Sequence, residues 1–77
     1  MTRVECERKV LKEIQIGENI SSWDLTRRVK KLYYQENSVK THVYTETLIK
    51  NIRKFRQTGE FYFICVDHQK SIYQRVM

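Results

Sequence analysis

Three segments of the chain carry apolar residues at the spacing of an amphipathic helix. They run from about Arg3 to Gln15, from Ser21 to about Tyr34 and from about Thr45 to Thr58. Each segment has one apolar stripe with charged residues elsewhere, so the pattern predicts three helices packed around one core. The stripes are Val4, Val10, Leu11 and Ile14; Leu25, Val29, Leu32 and Tyr33; and Leu48, Ile52 and Phe55, with Ile49 beside the last.

Helix boundaries are marked by residues with known preferences for helix ends. Gly17 and Gly59 follow the first and third segments, where a glycine C′ residue closes a helix in the left-handed conformation. Ser21 is a good N-cap for the second helix, and Asp24 can reach back to it as a weak capping box. Ile20 stands alone among polar residues just before this cap, which predicts a very short strand.

The remaining segments predict one loop and one β-hairpin. Residues 35–41 are polar and lack periodicity, and we interpret them as a long loop between the second and third helices. Residues 61–66 are rich in aromatic and β-branched side chains, which is typical of a strand. Residues 67–70 then predict a turn, and residues 71–76 a returning strand.

The hairpin carries apolar side chains on both of its predicted faces. A turn centred on His68 and Gln69 puts Phe61, Phe63 and Cys65 on one face with Ile72, Gln74 and Val76. The other face then holds Tyr62, Ile64, Val66, Tyr73 and Arg75. We expect this second face to be covered, either by a two-fold homodimer partner or by the first helix or the first residues of the chain.

Composition narrows the class of protein. The 77 residues suffice for one domain, residues 1–77, and 40% of them are hydrophobic, which is enough for a packed core. Fifteen Lys and Arg against nine Asp and Glu give a net charge of +6 and a pI near 9.6, as in many nucleic-acid-binding domains. No apolar run is long enough for a membrane span or a signal peptide, so we expect a cytoplasmic protein without membrane contact.

The reactive side chains do not form a convincing catalytic or metal site. Cys65 and His68 stand three residues apart, but the second ligand pair would be Cys6 and His42, which are distant in sequence. Neither cysteine has an adjacent His with an orienting acid, and there is no glycine-rich phosphate loop. We therefore expect no enzyme activity, no metal, no cofactor and no small-molecule substrate, with both cysteines as buried thiols suited to a reducing cytoplasm.

The order helix, short strand, helix, helix and β-hairpin resembles the winged-helix DNA-binding superfamily, with an α+β fold of three helices, one short strand and a C-terminal hairpin wing. The resemblance is firmest at Ile20-Ser21-Ser22-Trp23-Asp24-Leu25, similar to the entry into the second helix. It is equally firm over residues 45–60, which look like a recognition helix followed by its closing glycine. The resemblance implies that helix 45–58 lies in the major groove of double-stranded DNA, while hairpin 61–76 contacts backbone or minor groove.

The side chains of the third helix suit this role. Lys50, Arg53 and Lys54 can meet phosphates or guanine acceptors, while Asn51 and Gln57 carry the donor and acceptor pair that adenine requires. The residues expected to contact DNA are Thr45, Glu46, Thr47, Lys50, Asn51, Arg53, Lys54 and Gln57 on the third helix, Arg27 and Arg28 on the second, and His68 and Lys70 in the hairpin.

The function expected from the sequence is sequence-specific DNA binding, as in a transcriptional regulator, with an origin in a virus or mobile element suggested by the small size. The alternative is a winged-helix protein-interaction module that does not bind DNA. Trp23 and Tyr34 point away from the apolar stripe of the second helix. We expect Trp23 to pack under the short strand or the wing, and leave open whether Tyr34 anchors a protein interface.

Overall fold

Three helices and a three-stranded antiparallel sheet form in the predicted order. The computed structural model describes all 77 residues. The elements are α1 (Arg3–Glu13), β1 (Asn19–Ser21), α2 (Ser22–Asn37), α3 (Thr45–Gln57), β2 (Phe63–Asp67) and β3 (Ile72–Arg75). The strand order is β1-β3-β2, which confirms a small α+β fold of the winged-helix kind. None of the three helices has the length and apolar character needed to cross a bilayer.

The core lies between the three helices and the inner face of the sheet. Eleven apolar residues from the helices, from β1 and β2 and from the segment just after α1 are buried in one cluster, which confirms most of the predicted stripes. Val4 is an exception, because it is exposed, whereas Cys6 on the same helix is fully buried. Leu32 and Tyr33 pack against the cluster from its edge and are only partly buried.

The first helix ends earlier than predicted, and Gly17 is not its C′ residue. It ends at Glu13, and Ile14 already has an extended backbone. The guanidinium of Arg75 on β3 donates to the carbonyl oxygens of Lys12 at 3.0 Å and Ile14 at 2.7 Å. A cation from the sheet therefore satisfies free carbonyls at this helix end, which no local signal in the sequence indicates. Gly17, with φ of 89°, lies in the turn before β1 instead.

The other two helices end by local rules except at the start of α3, where Tyr44 makes no side-chain cap hydrogen bond, and the second helix is longer than predicted. Ser21 caps α2 by accepting a hydrogen bond from the Asp24 amide at 3.1 Å, as expected. The helix continues to Asn37 and stops at Ser38, a left-handed residue with φ of 56°, so the predicted loop at 35–41 is shifted to residues 38–44. Gly59 closes α3 as the left-handed C′ residue of a Schellman motif, since the Glu60 amide donates to the Phe55 carbonyl at 2.9 Å.

The predicted register of the hairpin is wrong by one residue. Phe63 pairs with Arg75 and Cys65 with Tyr73, because the turn contains four residues and a bulge lies between Cys65 and Asp67. A one-residue shift moves every side chain of a strand to the opposite face. Tyr73 therefore faces the core instead of solvent, while Gln74 lies on the outer face opposite Ile64.

Trp23 does not pack under the strand or the wing, so that prediction is wrong. Its side chain is 64% exposed in the first turn of α2. Tyr34, three turns further along the same helix, is exposed as well. The hairpin turn contacts α2 through Ser22 instead, whose hydroxyl lies 2.6 Å from that of Ser71.

Replacement of Ile52 by Ala should lower the free energy of unfolding by about 2–5 kcal/mol, because Ile52 is only 3% exposed and the change opens a cavity. Urea denaturation followed by circular dichroism measures the effect. The control is Lys50→Ala on the exposed side of the same helix, which should stay within about 0.5 kcal/mol of the parent. A similar decrease in both variants would contradict this assignment of the buried face.

Candidate nucleic-acid interface

The outer face of α3 carries basic side chains that have no ion-pair partner within the protein. Leu48, Ile52 and Phe55 hold the opposite side of this helix in the core. The exposed side chains on the outer side are Glu46, Thr47, Lys50, Arg53, Lys54 and Gln57. The three ion pairs of the protein are Arg8 with Glu60, Lys9 with Glu36 and Arg27 with Asp24. None of them involves α3, so its basic side chains remain free to meet an external anion.

A groove of about 340 Å³ separates α3 from the wing strand β2. Its walls include two arginines from α3, Arg53 and Arg56, together with His68 from the hairpin turn and Cys65 from β2. Its apolar lining comes from Ile49, Ile52, Phe63, Ile64 and Tyr73. The fold therefore brings one predicted wing residue, His68, next to one predicted helix residue, Arg53.

Arg56 belongs to this groove although the sequence pattern did not single it out. Its guanidinium donates to the Tyr62 hydroxyl at 2.6 Å and lies 4.2 Å from the centre of the Tyr62 ring. A cation over an aromatic face is attracted by the ring quadrupole, so Tyr62 holds Arg56 in place. The position of Arg56 three residues after Arg53, on the adjacent turn of one helix, is the signal that identifies it.

Tyr73 and Arg53 lie close enough to influence each other electrostatically. Burial raises the pKa of the Tyr73 hydroxyl, the nearby Cys65 thiol acts in the same direction, and the positive charge of Arg53 opposes both. Arg53 and Tyr73 both line the groove between α3 and the sheet.

Two of the predicted DNA-contacting residues bind other parts of the protein instead. The Thr45 hydroxyl lies 3.1 Å from the Thr26 hydroxyl, between α3 and α2. The amide nitrogen of Asn51 donates to both carboxylate oxygens of Glu7 on α1, at 2.7 and 3.1 Å. The prediction that Asn51 reads adenine therefore needs correction, because its donor group already has a partner.

Glu7 is the buried charged residue that the helical pattern did not reveal. It is 3% exposed, and it occupies the apolar stripe of α1 three residues before Val10 and four before Leu11. Burial raises the pKa of its carboxyl, while the hydrogen bond from Asn51 and the charges of Arg3 and Arg8 oppose this increase. A charged residue at an apolar position of a helical stripe is the signal from which a buried polar contact could have been inferred.

The predicted contacts outside α3 lie in two different places. Arg27 is exposed and 3.8 Å from Asp24, while Arg28 lines a cleft between α1 and α2 that also contains Glu13 and Glu36. Neither lies on the outer face of α3. His68 and Lys70 are exposed at the wing tip, where the backbone amide of Lys70 donates to the Asp67 carboxylate at 3.1 Å.

Among the cysteines and histidines, Cys65 and His68 line the same groove, whereas Cys6 and His42 lie elsewhere. Cys6 is buried in the core and Cys65 is half-buried on β2, and both are free thiols. Burial raises the pKa of the Cys6 thiol. No three His, Cys, Asp or Glu side chains are close enough to one another to hold a metal ion.

The fold and this face together define a small α+β domain of the winged-helix kind that presents an unpaired cationic helix beside its wing. Comparisons with protein families, with characterised proteins and with solved structures gave no match to the chain.

Replacement of Glu7 by Gln should remove a pH dependence of stability. The raised pKa means that the native state holds this proton more tightly than the unfolded state does. The resulting stabilisation is complete below the ordinary value of 4.5 and is lost as the pH rises from there through the raised native pKa. Gln cannot ionise and keeps an acceptor for Asn51, so its advantage over the parent should grow through that window and then become constant.

Urea unfolding at a series of pH values from about 4 to about 8 measures this difference. Glu13→Gln on the exposed side of α1 is the control, and its difference from the parent should vary much less over the same range. If the free energies of unfolding of Glu7→Gln and the parent differ by the same amount at all pH values, the pKa of the Glu7 carboxyl is not raised in the native state.

Proposed function

We propose that the protein binds double-stranded DNA, with α3 in the major groove and the wing beside it. The observation that carries this proposal is the set of four basic residues of α3, three on its outer face and Arg56 on the side next to the wing, which have no ion-pair partner within the protein. The same helix contains only one carboxylate, Glu46, and it stands in the first turn, where a negative charge favours the helix.

The dimensions and chemistry of this face suit a major groove. Thirteen residues make a helix about 20 Å long, and the groove admits one helix with long polar side chains on its outer side. Lys50 and Lys54, one turn apart, are placed for phosphates, and Gln57 keeps the free amide that adenine requires. Arg53 and Arg56, at the groove next to the wing, support contact with the adjacent backbone.

The proposed role is that of a sequence-specific regulator of transcription acting in the cytoplasm. The two free thiols support a reducing compartment. With Asn51 and Thr45 engaged inside the protein, the proposed reading residues reduce to the exposed ones of α3, with Arg56 added and with His68 and Lys70 in the wing.

The double change Lys50→Ala/Lys54→Ala should weaken binding to a duplex without affecting folding. Each neutralised phosphate releases condensed counterions, so the plot of log affinity against log salt concentration should become shallower by roughly one unit for each phosphate that is no longer neutralised. Fluorescence anisotropy with a labelled duplex at several salt concentrations measures both quantities, and thermal unfolding verifies the fold.

Lys12→Ala/Lys31→Ala is the matched control, because it removes the same charge from exposed positions of α1 and α2 away from this face. It should retain most of the affinity of the parent. Equal affinity for both double variants would refute α3 as the DNA-binding element and would favour the protein-interaction alternative.

A specific observation also supports self-association through the wing. β2 is an edge strand of the sheet, and its outer face exposes Ile64 by 36% and Val66 by 46%. An exposed apolar edge strand is a template for pairing with another strand, and a two-fold pair would present two copies of α3 to a two-fold DNA site.

Val66→Lys should abolish this association. A charge on the outer face of β2 is costly to bury in the dimer, and a lysine on an edge strand prevents pairing. Sedimentation velocity at high micromolar concentration measures the oligomeric state, with Lys70→Ala at the wing tip as the control. A monomeric parent at that concentration would remove the dimer and leave the DNA proposal untouched.

A further inference from the structure

A second cationic cavity lies between α2 and the loop of residues 38–44. It has a volume of about 370 Å³ and is lined by Lys30, Tyr34, Lys40, Thr41 and His42. None of these residues belongs to the surface proposed for DNA. The first two come from the outer side of α2 and the other three from the loop, so the cavity exists only because the loop folds back along the helix.

The lining contains many hydrogen-bond donors and no carboxylate. Two ammonium groups, an imidazole and two hydroxyls border one cavity. Neither lysine takes part in an ion pair within the protein. The Tyr34 hydroxyl and the His42 ring have no hydrogen-bond partner, and the Thr41 hydroxyl has only the His42 carbonyl at 3.5 Å. This donor capacity is therefore available to a ligand.

The loop wall of the cavity is attached to the rest of the domain. Arg3 on α1 donates from its guanidinium to the His42 carbonyl at 3.0 Å. The next residue, Val43, packs against the core, and the rings of His42 and Tyr44 stack with their centres 6.2 Å apart. At the other end of the loop, α2 stops at Ser38, whose backbone amide donates to the Tyr34 carbonyl. These contacts hold the loop donors beside Lys30 and Tyr34.

We propose that this cavity binds a phosphoryl group. A phosphate accepts several charge-assisted hydrogen bonds at once, and lysines with hydroxyls and an imidazole are the donors that suit it. The volume lies at the lower end of small-ligand pockets, and the half-exposed Tyr34 ring offers a flat apolar wall. The phosphoryl group can therefore come from a free nucleotide or from a nucleic-acid backbone.

Another explanation accounts for only part of the arrangement. Lys40 follows the end of α2, whose last turn contains no basic residue, so its charge also interacts favourably with the negative end of the helix dipole. That interaction does not explain why Lys30 and His42 border the same cavity without carboxylate partners.

The test is an amide NMR titration of the full chain with inorganic phosphate, with adenosine monophosphate and with a short DNA duplex, at constant ionic strength. We expect saturable shifts at Lys30, Tyr34 and residues 40–42, with phosphate affinity of about millimolar strength. In Lys30→Ala/Lys40→Ala this affinity should fall at least about tenfold, since two charge-assisted hydrogen bonds are removed. The Lys12→Ala/Lys31→Ala control removes the same charge and should behave like the parent.

The three ligands distinguish the two sources of the phosphoryl group. Shifts with phosphate and the nucleotide alone identify a small ligand, and shifts at the same amides with the duplex identify the backbone; both outcomes support the site.

Lys30→Gln/Lys40→Gln, which keeps the aliphatic stems, repeats the test if the alanine variant does not fold. Absence of saturation with all three ligands, or equal weakening in the control, overturns the proposal. Lys50→Ala/Lys54→Ala should still bind phosphate here, so this site and the DNA proposal can fail independently.

Discussion

Arg75 joins the wing to the first helix, and the geometry of the whole domain depends on that junction. Its guanidinium satisfies two carbonyls at the end of α1, while its own backbone amide donates to Glu18 and its carbonyl accepts from Gly17 at 2.6 Å. The guanidinium also lies 5.4 Å from the Phe61 ring. One residue of the central strand thus fixes where α1 ends, where the chain turns into β1 and how the sheet lies against the helix. Charge-assisted hydrogen bonds of this kind are roughly twice as strong as neutral ones.

A second polar contact joins α3 to the first helix. α1 carries Glu7 into the core, and Asn51 on α3 meets its carboxylate. Burial of a carboxylate costs free energy, but the pairing is directional, whereas the surrounding apolar contacts are not. The contact adds a directional constraint to the rotation of α3 about its axis, which burial of Leu48, Ile52 and Phe55 already sets. Lys50, Arg53 and Lys54 consequently face outward, and Arg53 also lines the groove beside the wing.

Ion pairs neutralise only some of the basic residues of the protein. On α1 and α2, Arg8, Lys9 and Arg27 have carboxylate partners, which cancel much of their field at a distance. The basic residues of α3 and of the loop after α2 have none. Unpaired basic residues that could meet an external anion include those of two surfaces with different shapes. One is a convex helix face beside a wing, suited to a duplex, and the other is a concave cavity suited to a single phosphoryl group.

The sequence by itself determined the features that depend on neighbouring residues. The stripe of Leu48, Ile52 and Phe55, the Ser21 cap and the Gly59 stop are all local, and each follows from helix geometry or from the conformational freedom of a single residue.

Tertiary structure decided the rest, because the deciding partners are distant in the chain. The end of α1 depends on Arg75 more than sixty residues away, and the solvent-facing side of β3 depends on a bulge and a four-residue turn. The helical period places Asn51 where it could contact DNA, but in the fold its amide donates to the Glu7 carboxylate. The helical period predicts which side chains of a helix are exposed. Whether an exposed side chain is available to a ligand depends on the groups that the other helices place beside it.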